Sequence, residues 1–203
     1  MSVVATVAGI PVLVDEVDAA ETRLRGGPGA AALPAGGTSE GRQLRRWLTQ
    51  LIVTERLVAA EADARGLSGR GVPSEAELLP DATARLELGS VAAAALAEPR
   101  ARALFADVTA AVGVDDEQVA DYHARNPLRF AKPRRERHGW RTPPPVGPPL
   151  DDVRSAIADH LRGAARRRAF RVWLDARRAE LVRLAPGYEH PGDPRQPDNT
   201  HRH

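Results

Sequence analysis

Hydrophobic residues recur at helical spacing in the stretch "EGRQLRRWLTQLIVTERLVAAEADAR". They trace a broad apolar face with a period of about 3.6 residues, which is typical of a helix that packs against a core. Thr38 or Ser39 can cap the first turn, and Gly66 can end the helix. The pattern therefore predicts one long central helix. The polar side chains that we expect mostly away from its apolar face are Arg45, Arg46, Gln50 and Arg56.

The chain starts with a different pattern. In "VVATVAGIPV" two short apolar runs flank Ala8 and Gly9, which predicts a strand, a tight turn and a second strand. The next segment, "DEVDAAETRLR", has acidic residues in its first turn and basic residues in its last, as the helix dipole favours. We therefore expect a hairpin followed by a helix, and then a loop over 26–37.

The remaining apolar segments also predict helices. Two or three are expected over 74–112, broken near Pro80 and Pro99. The segment "VDDEQVADYHARNP" predicts a short helix that ends before Pro127. After a proline-rich stretch, one more long helix is expected from about 150 to 184.

The composition of the chain and the motifs that it lacks exclude several classes of function. The chain has 203 residues, 42% of them apolar, and no cysteine, which excludes disulfides, thiolate metal sites and cysteine nucleophiles. The start has no basic region followed by a long apolar one, and no apolar run approaches the roughly 18 residues that cross a bilayer. We therefore expect a soluble, cytoplasmic protein with no membrane partner. It contains no P-loop and no dinucleotide fingerprint, so no cofactor is predicted.

Charge is unevenly distributed along the chain. Residues 125–183 contain 16 basic residues against 6 acidic ones, whereas the rest contains 13 against 21. A basic half can attract nucleic acid, an acidic protein or the acidic half of the same molecule. The basic patch on the last predicted helix comprises Arg166, Arg167, Arg168, Arg171, Arg177 and Arg178. Its first three members point in different directions on a helix, so they do not form one stripe along a phosphate backbone.

Three segments, taken in their order along the chain, resemble those of a known protein family. The segments "VATVAGIPVLVDEVDAAETRL", "LRRWLTQLIVTERLVAAEADARGL" and "VDDEQVADYHARNPLRFAKPRRERHGW" together resemble the N-terminal chaperone region of the SurA and PrsA type of peptidyl-prolyl isomerase. In that family a helix of the form D-E-V-x-x-Y-Y-x-x-N-P-x-x-F leads out of the helical core. The residues that match it here are Glu117, Val119, Tyr122, Asn126, Pro127 and Phe130. The resemblance covers roughly residues 3–184.

This resemblance implies a mostly α-helical module with a small N-terminal β-hairpin, completed by a long C-terminal helix. In the family, "RRERHGW" would begin an inserted parvulin domain, and His138 would match its early active-site histidine. Only "RTPPPVGPPL" separates Trp140 from the last predicted helix, which is too short for that domain's sheet and second histidine. The parvulin domain is therefore expected to be missing, with no catalytic residue assigned and His138 as its remnant.

Four regions follow from this interpretation. Residues 1–130 would form the chaperone-like helical region, 131–149 a proline-rich linker at the site of the missing domain, and 150–185 the C-terminal helix packing on the N-terminal region. Residues 186–203 would form a disordered tail. Zinc or nickel suits the histidines of that tail, but their loose spacing favours weak adventitious binding; these weak metal candidates are His190, His201 and His203.

The predicted function is that of an ATP-independent bacterial chaperone or dedicated assembly partner. Its partner would be an unfolded or specific client protein, bound without isomerase catalysis. Candidate client-binding residues, each of which also suits an ordinary core, are Trp47, Leu51, Leu57, Phe170 and Trp173. Two alternatives stay open: residual parvulin-type isomerase activity, and nucleic-acid binding through the arginine-rich helix, which we favour less. The long linker also permits two chains to exchange their last helices as a homodimer. His123 and His160 are expected on solvated faces.

Overall fold

A computed structural model of the chain describes residues 2–131 and 147–189. These residues form eight α-helices and one three-stranded sheet. The helices are α1 (Val14–Arg25), α2 (Ser39–Ala64), α3 (Glu75–Leu78), α4 (Ala82–Leu88), α5 (Ser90–Ala95), α6 (Pro99–Val108), α7 (Asp116–Arg125) and α8 (Leu150–Leu181). The strands are β1 (Val3–Val7), β2 (Ile10–Leu13) and β3 (Val182–Leu184). The mostly helical class with a small N-terminal sheet and a long C-terminal helix, predicted from the sequence, is confirmed.

The sheet begins with the predicted hairpin. Val7 pairs with Ile10, and both residues between them, Ala8 and Gly9, have positive φ angles of 50° and 81°. Two central residues with positive φ are the mark of a type I′ turn, whose twist matches that of the flanking strands. Val4 of β1 and Val12 of β2 are fully buried, so one face of the hairpin belongs to the core.

The third strand corrects the predicted end of the last helix. The helix was expected to reach 184, but α8 ends at Leu181 and the next three residues pair antiparallel with β1. The order is β2-β1-β3, so β1 is the middle strand. The Ala8 amide donates to the Leu181 carbonyl at 2.8 Å, and the Ala185 amide donates to the Val4 carbonyl at 2.9 Å. These three residues therefore pair with the edge of β1 and do not continue the helix that the local pattern predicted.

Helix α2 is the central element of the fold, in contact with α1, α5, α6, α8 and β1. Thr38 caps it by accepting a hydrogen bond from the Gly41 amide at 3.0 Å. Position 41 has no room for a side chain, because a Cβ atom there would lie 2.3 Å from the Ala35 carbonyl oxygen. The predicted cap and the long central helix agree with this structure.

The segment after α2 contains four helices, where two or three were expected. Pro99 does not interrupt a helix; it occupies the first turn of α6, where its missing amide costs no hydrogen bond. Gly89, with φ of 91°, separates α4 from α5. Glycine adopts this conformation readily. No proline lies between these two helices, so the positions of the prolines did not predict this break.

Two hydrophobic clusters lie along α8. The main cluster includes the fully buried Leu57 and Phe105 together with Phe170 from the second half of α8. The smaller cluster has Val119 from α7 and Ile157 from the first half of α8 at its centre. The 32 residues of α8 span roughly 48 Å at about 1.5 Å per residue. This helix therefore contributes residues to both clusters.

Within the described residues, no helix has both the length and the hydropathy that a membrane span requires.

Candidate functional site

The site begins with the placement of α7. Asp115 and Gln118 form a reciprocal capping box: the Asp115 carboxylate accepts from the Gln118 amide at 2.8 Å, and the Gln118 side chain accepts from the Asp115 amide at 3.0 Å. These bonds satisfy two of the free amides at the helix start and define where α7 begins. From there α7 packs along the first half of α8.

The seam between the two helices is apolar and aromatic. Val119 is 1% exposed and packs in the smaller cluster with Ile157. Tyr122 and Phe130 are in edge-on contact, with ring centroids 6.4 Å apart, and both contact the His160 ring. Three of the residues that carry the family resemblance, Val119, Tyr122 and Phe130, therefore serve to dock α7 on α8.

The expectation that His123 and His160 lie on solvated faces was wrong. Both are half-buried. The Tyr122 hydroxyl and the His160 Nε2 atom are 3.2 Å apart, and the His123 Nε2 atom lies 2.9 Å from the Pro148 carbonyl oxygen. The contact of α7 with α8 and with the segment before it covers both rings, which the residue pattern of either helix alone did not indicate.

A groove of about 300 Å³ opens beside this seam. Its apolar residues are Val114, Leu161, Ala164 and Ala165. Its polar and charged residues are Gln118, Asp121, Tyr122, Arg125 and Arg168. The two alanines are small, so the floor of the groove lies close to the backbone of α8.

A second cavity of about 140 Å³ extends this groove toward α4. It shares Ala164 and Arg168 with the first cavity and adds Glu87 and Arg171. We call the two cavities together the α7–α8 groove. Its α4 end is basic, because Arg168 and Arg171 lie there and the carboxylate of Glu87 is already paired with Arg167 at 2.7 Å. At the other end, Asp121 and Arg125 approach each other only to 3.7 Å.

The basic patch predicted on α8 does not form one surface. Arg167 is 6% exposed and donates to Glu87 and to the Leu78 carbonyl. Arg166 donates from Nε to the Thr109 hydroxyl at 2.8 Å. Arg171 donates to the Glu87 backbone carbonyl at 3.2 Å. Of the six arginines in the patch, Arg168 alone is exposed and has no hydrogen-bond partner among the described residues. It lies in the α7–α8 groove.

The last two arginines of the patch face α2. Arg177 binds Glu61, and this hydrogen bond raises the pKa of Arg177. Arg178 donates to the Thr54 hydroxyl at 2.7 Å and to the Gln50 side-chain oxygen. Burial lowers the pKa of Arg178. These two side chains therefore fasten α8 to the central helix.

The polar face expected on α2 is partly wrong. Arg46 is 7% exposed and Gln50 is fully buried. Arg46 donates from Nε to the Gly187 carbonyl at 3.1 Å, and the Gln50 amide donates to the Tyr188 carbonyl at 3.0 Å. The segment that follows β3 covers this face of α2. No local pattern reveals such a cover, because the two segments are far apart in sequence.

The candidate client-binding residues lie away from the groove. Leu57 is fully buried and Phe170 is 1% exposed, so neither can line an open surface in this structure. Trp47 donates to the Ser90 hydroxyl at 3.2 Å, and Trp173 stacks on Phe170 at 5.7 Å. Leu51 is half-buried. Sequence reasoning missed the α7–α8 groove because its alanines resemble those of any helix.

Four predicted site residues fall outside the described ranges: the isomerase remnant and the three metal candidates. They are His138, His190, His201 and His203. Most of the predicted linker and tail falls there too, on 132–146 and 190–203. Across 2–131 and 147–189, no group of three or more histidine, aspartate or glutamate side chains is arranged to hold a metal ion.

In comparison with known proteins, a family model matches only the start of the chain. Residues 3–40 match the model of a family of unknown function, DUF7158. This range contains β1, β2, α1 and the first two residues of α2, and it does not reach the α7–α8 groove. Neither a curated protein nor a solved structure matches the chain.

Proposed function

We propose that this protein is an ATP-independent chaperone or dedicated assembly partner that holds an extended polypeptide segment in the α7–α8 groove. The observation that carries the proposal is the combination of an apolar, alanine-lined floor with the cation of Arg168, which has no hydrogen-bond or ion-pair partner within 2–131 and 147–189. The resemblance of the α7 segment to the SurA and PrsA chaperone region supports the same class of function. A cytoplasmic location and the absence of isomerase catalysis belong to this proposal.

The chemistry of the groove favours an extended segment that alternates apolar and acidic side chains. Apolar side chains of the client would cover Val114 and Leu161, a burial that contributes about 25 cal/mol for each Å² removed from water. An acidic side chain would pair with Arg168 or Arg171 at the α4 end. The contact area is small, so we expect weak and rapidly exchanging binding, which suits a holding chaperone.

Filling the groove tests this proposal. The substitution Ala164→Trp places a large ring on the floor, whereas Ala176→Trp places the same ring at an exposed position of α8 outside the groove. We expect the natural protein and Ala176→Trp to suppress aggregation of an unfolded model protein, and Ala164→Trp to lose most of that activity. Circular dichroism melting checks that both variants fold. Equal protection by the two variants, or none by the natural protein, would contradict the proposal.

A labelled peptide tests the charge preference separately. A peptide of alternating leucine and glutamate should bind more tightly than one with lysine in place of glutamate, when measured by fluorescence anisotropy. The substitution Arg168→Glu should reverse that order, because it replaces the free cation with an anion. If the order of the two peptides does not change, Arg168 does not select the client.

The two alternative functions have direct tests on the same preparation. Nucleic-acid binding would require arginines that are free for phosphates, but Arg167, Arg177 and Arg178 all donate to groups within the molecule. Any such binding should weaken steeply with added salt, whereas apolar client binding should not. A peptidyl-prolyl isomerisation assay is expected to show no activity, and activity would favour the isomerase alternative.

A further inference from the structure

A second cleft lies on the opposite side of α8 from the α7–α8 groove. It has a volume of about 210 Å³ and is bordered by α3, α6 and α8. The residues that matter for its chemistry are Glu77, Asp159, Arg162, Gly163, Arg166 and Arg167. We call this space the α8 arginine cleft. It shares no residue with the groove, so the inference drawn from it does not depend on the proposed function.

The guanidinium of Arg166 is held in place on one side only. Its Nε donates to the Thr109 hydroxyl at 2.8 Å, and Thr109, itself fully buried, donates to the Phe105 carbonyl at 2.6 Å. The guanidinium carbon lies 5.4 Å from the centroid of the Phe105 ring. The two terminal nitrogens of Arg166 have no hydrogen-bond partner among the described residues. A preorganised guanidinium with free terminal N–H groups is a receptor for a two-oxygen anion.

The carboxylates nearest the cleft already have other partners. Asp159 pairs with Arg162 at 2.7 Å. The Glu77 carboxylate accepts from both the amide and the hydroxyl of Ser74 at 2.7 Å, which holds the pKa of Glu77 below its ordinary value. Arg167 is likewise neutralised, by the Glu87 pair described above. Arg166 is therefore the cation of this cleft without an acidic partner among the described residues.

Burial and the positive charge of Arg162 both lower the pKa of Arg166. This direction means that the charged form of Arg166 is not compensated by its surroundings. An anion in the cleft would supply that compensation.

Gly163 leaves room beside the cleft for the Arg167 side chain. A Cβ atom at this position would lie 3.1 Å from a terminal nitrogen of Arg167, closer than an ordinary contact. Glycine in the middle of a helix is less favourable than alanine. Here it lets the Arg167 guanidinium cross the surface of α8 toward Leu78 and Glu87.

We propose that the α8 arginine cleft binds the carboxylate or phosphate group of a small molecule through the terminal nitrogens of Arg166. The volume of the cleft is below the roughly 300–1,000 Å³ of pockets that enclose drug-sized ligands, so it suits a compact anion. Carboxylate and phosphate both match the spacing of a guanidinium, and direct binding experiments distinguish them.

The test is isothermal titration calorimetry with inorganic phosphate and, in a separate experiment, with succinate, at constant ionic strength set with chloride. We expect the natural protein to bind at least one of the two anions. The substitution Arg166→Gln should weaken that binding by about tenfold or more, because it removes both the charge and the free N–H groups. Arg70→Gln, a matched change at an exposed arginine outside both the cleft and the groove, should leave the affinity unchanged.

Two further variants keep the outcome interpretable. Arg166→Lys retains a positive charge without the planar pair of donors, so it should also weaken binding while preserving the charge of the cleft. Ala164→Trp, which blocks the α7–α8 groove, should bind the anion as the natural protein does. The proposal is overturned if the natural protein binds neither anion, or if Arg166→Gln and Arg70→Gln bind equally well.

Discussion

At the scale of single residues, three buried polar side chains of α2, namely Gln50, Thr54 and Glu61, accept hydrogen bonds from arginines of α8. Gln50 is fully buried and is bonded at both ends, to Arg178 and to the Tyr188 carbonyl. Burying a polar or charged group without such partners costs free energy, so the contacts form a connected set in which each group depends on the next.

Removal of Arg178 tests that dependence. The substitution Arg178→Met keeps the length of the side chain but leaves the Gln50 oxygen without its donor. We expect a loss of about 1–3 kcal/mol in the free energy of unfolding, measured by urea denaturation. Arg168→Met, the same change at an exposed position of α8, should alter it by less than about 0.5 kcal/mol. Equal losses in the two variants would mean that the buried contacts contribute nothing specific.

Glu21 makes stability depend on pH. Hydrogen bonds from Arg25 and from Arg45, outweighing burial, lower the pKa of Glu21 below its ordinary value of 4.5. A carboxylate whose pKa is lower in the folded state stabilises the fold above its unfolded pKa and loses that contribution as pH falls through the folded pKa. The bond to Arg45 links α1 to α2, so this contribution concerns the packing of the two helices.

The substitution Glu21→Gln should therefore lower the melting temperature near neutral pH. The difference from the natural protein should shrink as the pH falls below about 4, because the natural side chain then becomes neutral as well. Glu117→Gln, at an exposed position of α7, serves as the control and should show little change at either pH. A Glu21→Gln difference that stays constant with pH would show that the ion pairs are not its cause.

At the scale of elements, the parts set by local signals were predictable from the sequence. The hairpin follows from Ala8 and Gly9, the start of α2 from a cap at Thr38 or Ser39, and the end of α7 from Pro127, because each effect acts within a few residues. Strand β3 was not predictable, since three residues beginning at Val182 become a strand only when β1 offers its edge. The α7–α8 groove was not predictable either, because its floor depends on how two helices dock.

Helix α8 offers a direct test of the difference between core and surface. Phe170 contacts Phe105 with ring centroids 5.1 Å apart and is 1% exposed, whereas Val172 on the same helix is 62% exposed. Phe170→Ala should lower the free energy of unfolding by about 3–5 kcal/mol, and Val172→Ala should change it by less than about 0.5 kcal/mol, as measured by chemical denaturation. A small loss for Phe170→Ala would restore this residue as a candidate for client contact.

At the scale of the whole molecule, the two hydrophobic clusters differ greatly in size. The main cluster joins the sheet, α2 and the second half of α8. The smaller one is formed chiefly by Val119, Val153 and Ile157. A region with few buried apolar side chains opens at lower free energy than the rest of a protein. The α7–α8 groove lies beside the smaller cluster, so it belongs to the part of the molecule that opens more easily.

Hydrogen exchange followed by mass spectrometry checks this difference. Amides of α7 and of the first half of α8 should exchange faster than those of α2, and Val119→Ala should accelerate exchange in α7 without changing α2. If all helices exchange at one rate and respond together to Val119→Ala, the two clusters form a single cooperative unit and the expected difference is wrong.

The position of β1 between β2 and β3 has a consequence for how the protein is made. On the ribosome, β1 and β2 emerge before α1–α8, whereas β3 at Val182–Leu184 follows only after these helices have been translated. At about 5–20 residues per second, β1 keeps one unpaired edge for on the order of ten seconds. Such an edge can pair with strands of neighbouring chains. Nascent chains on crowded polysomes are therefore the stage at which this protein is most exposed to association with its own copies.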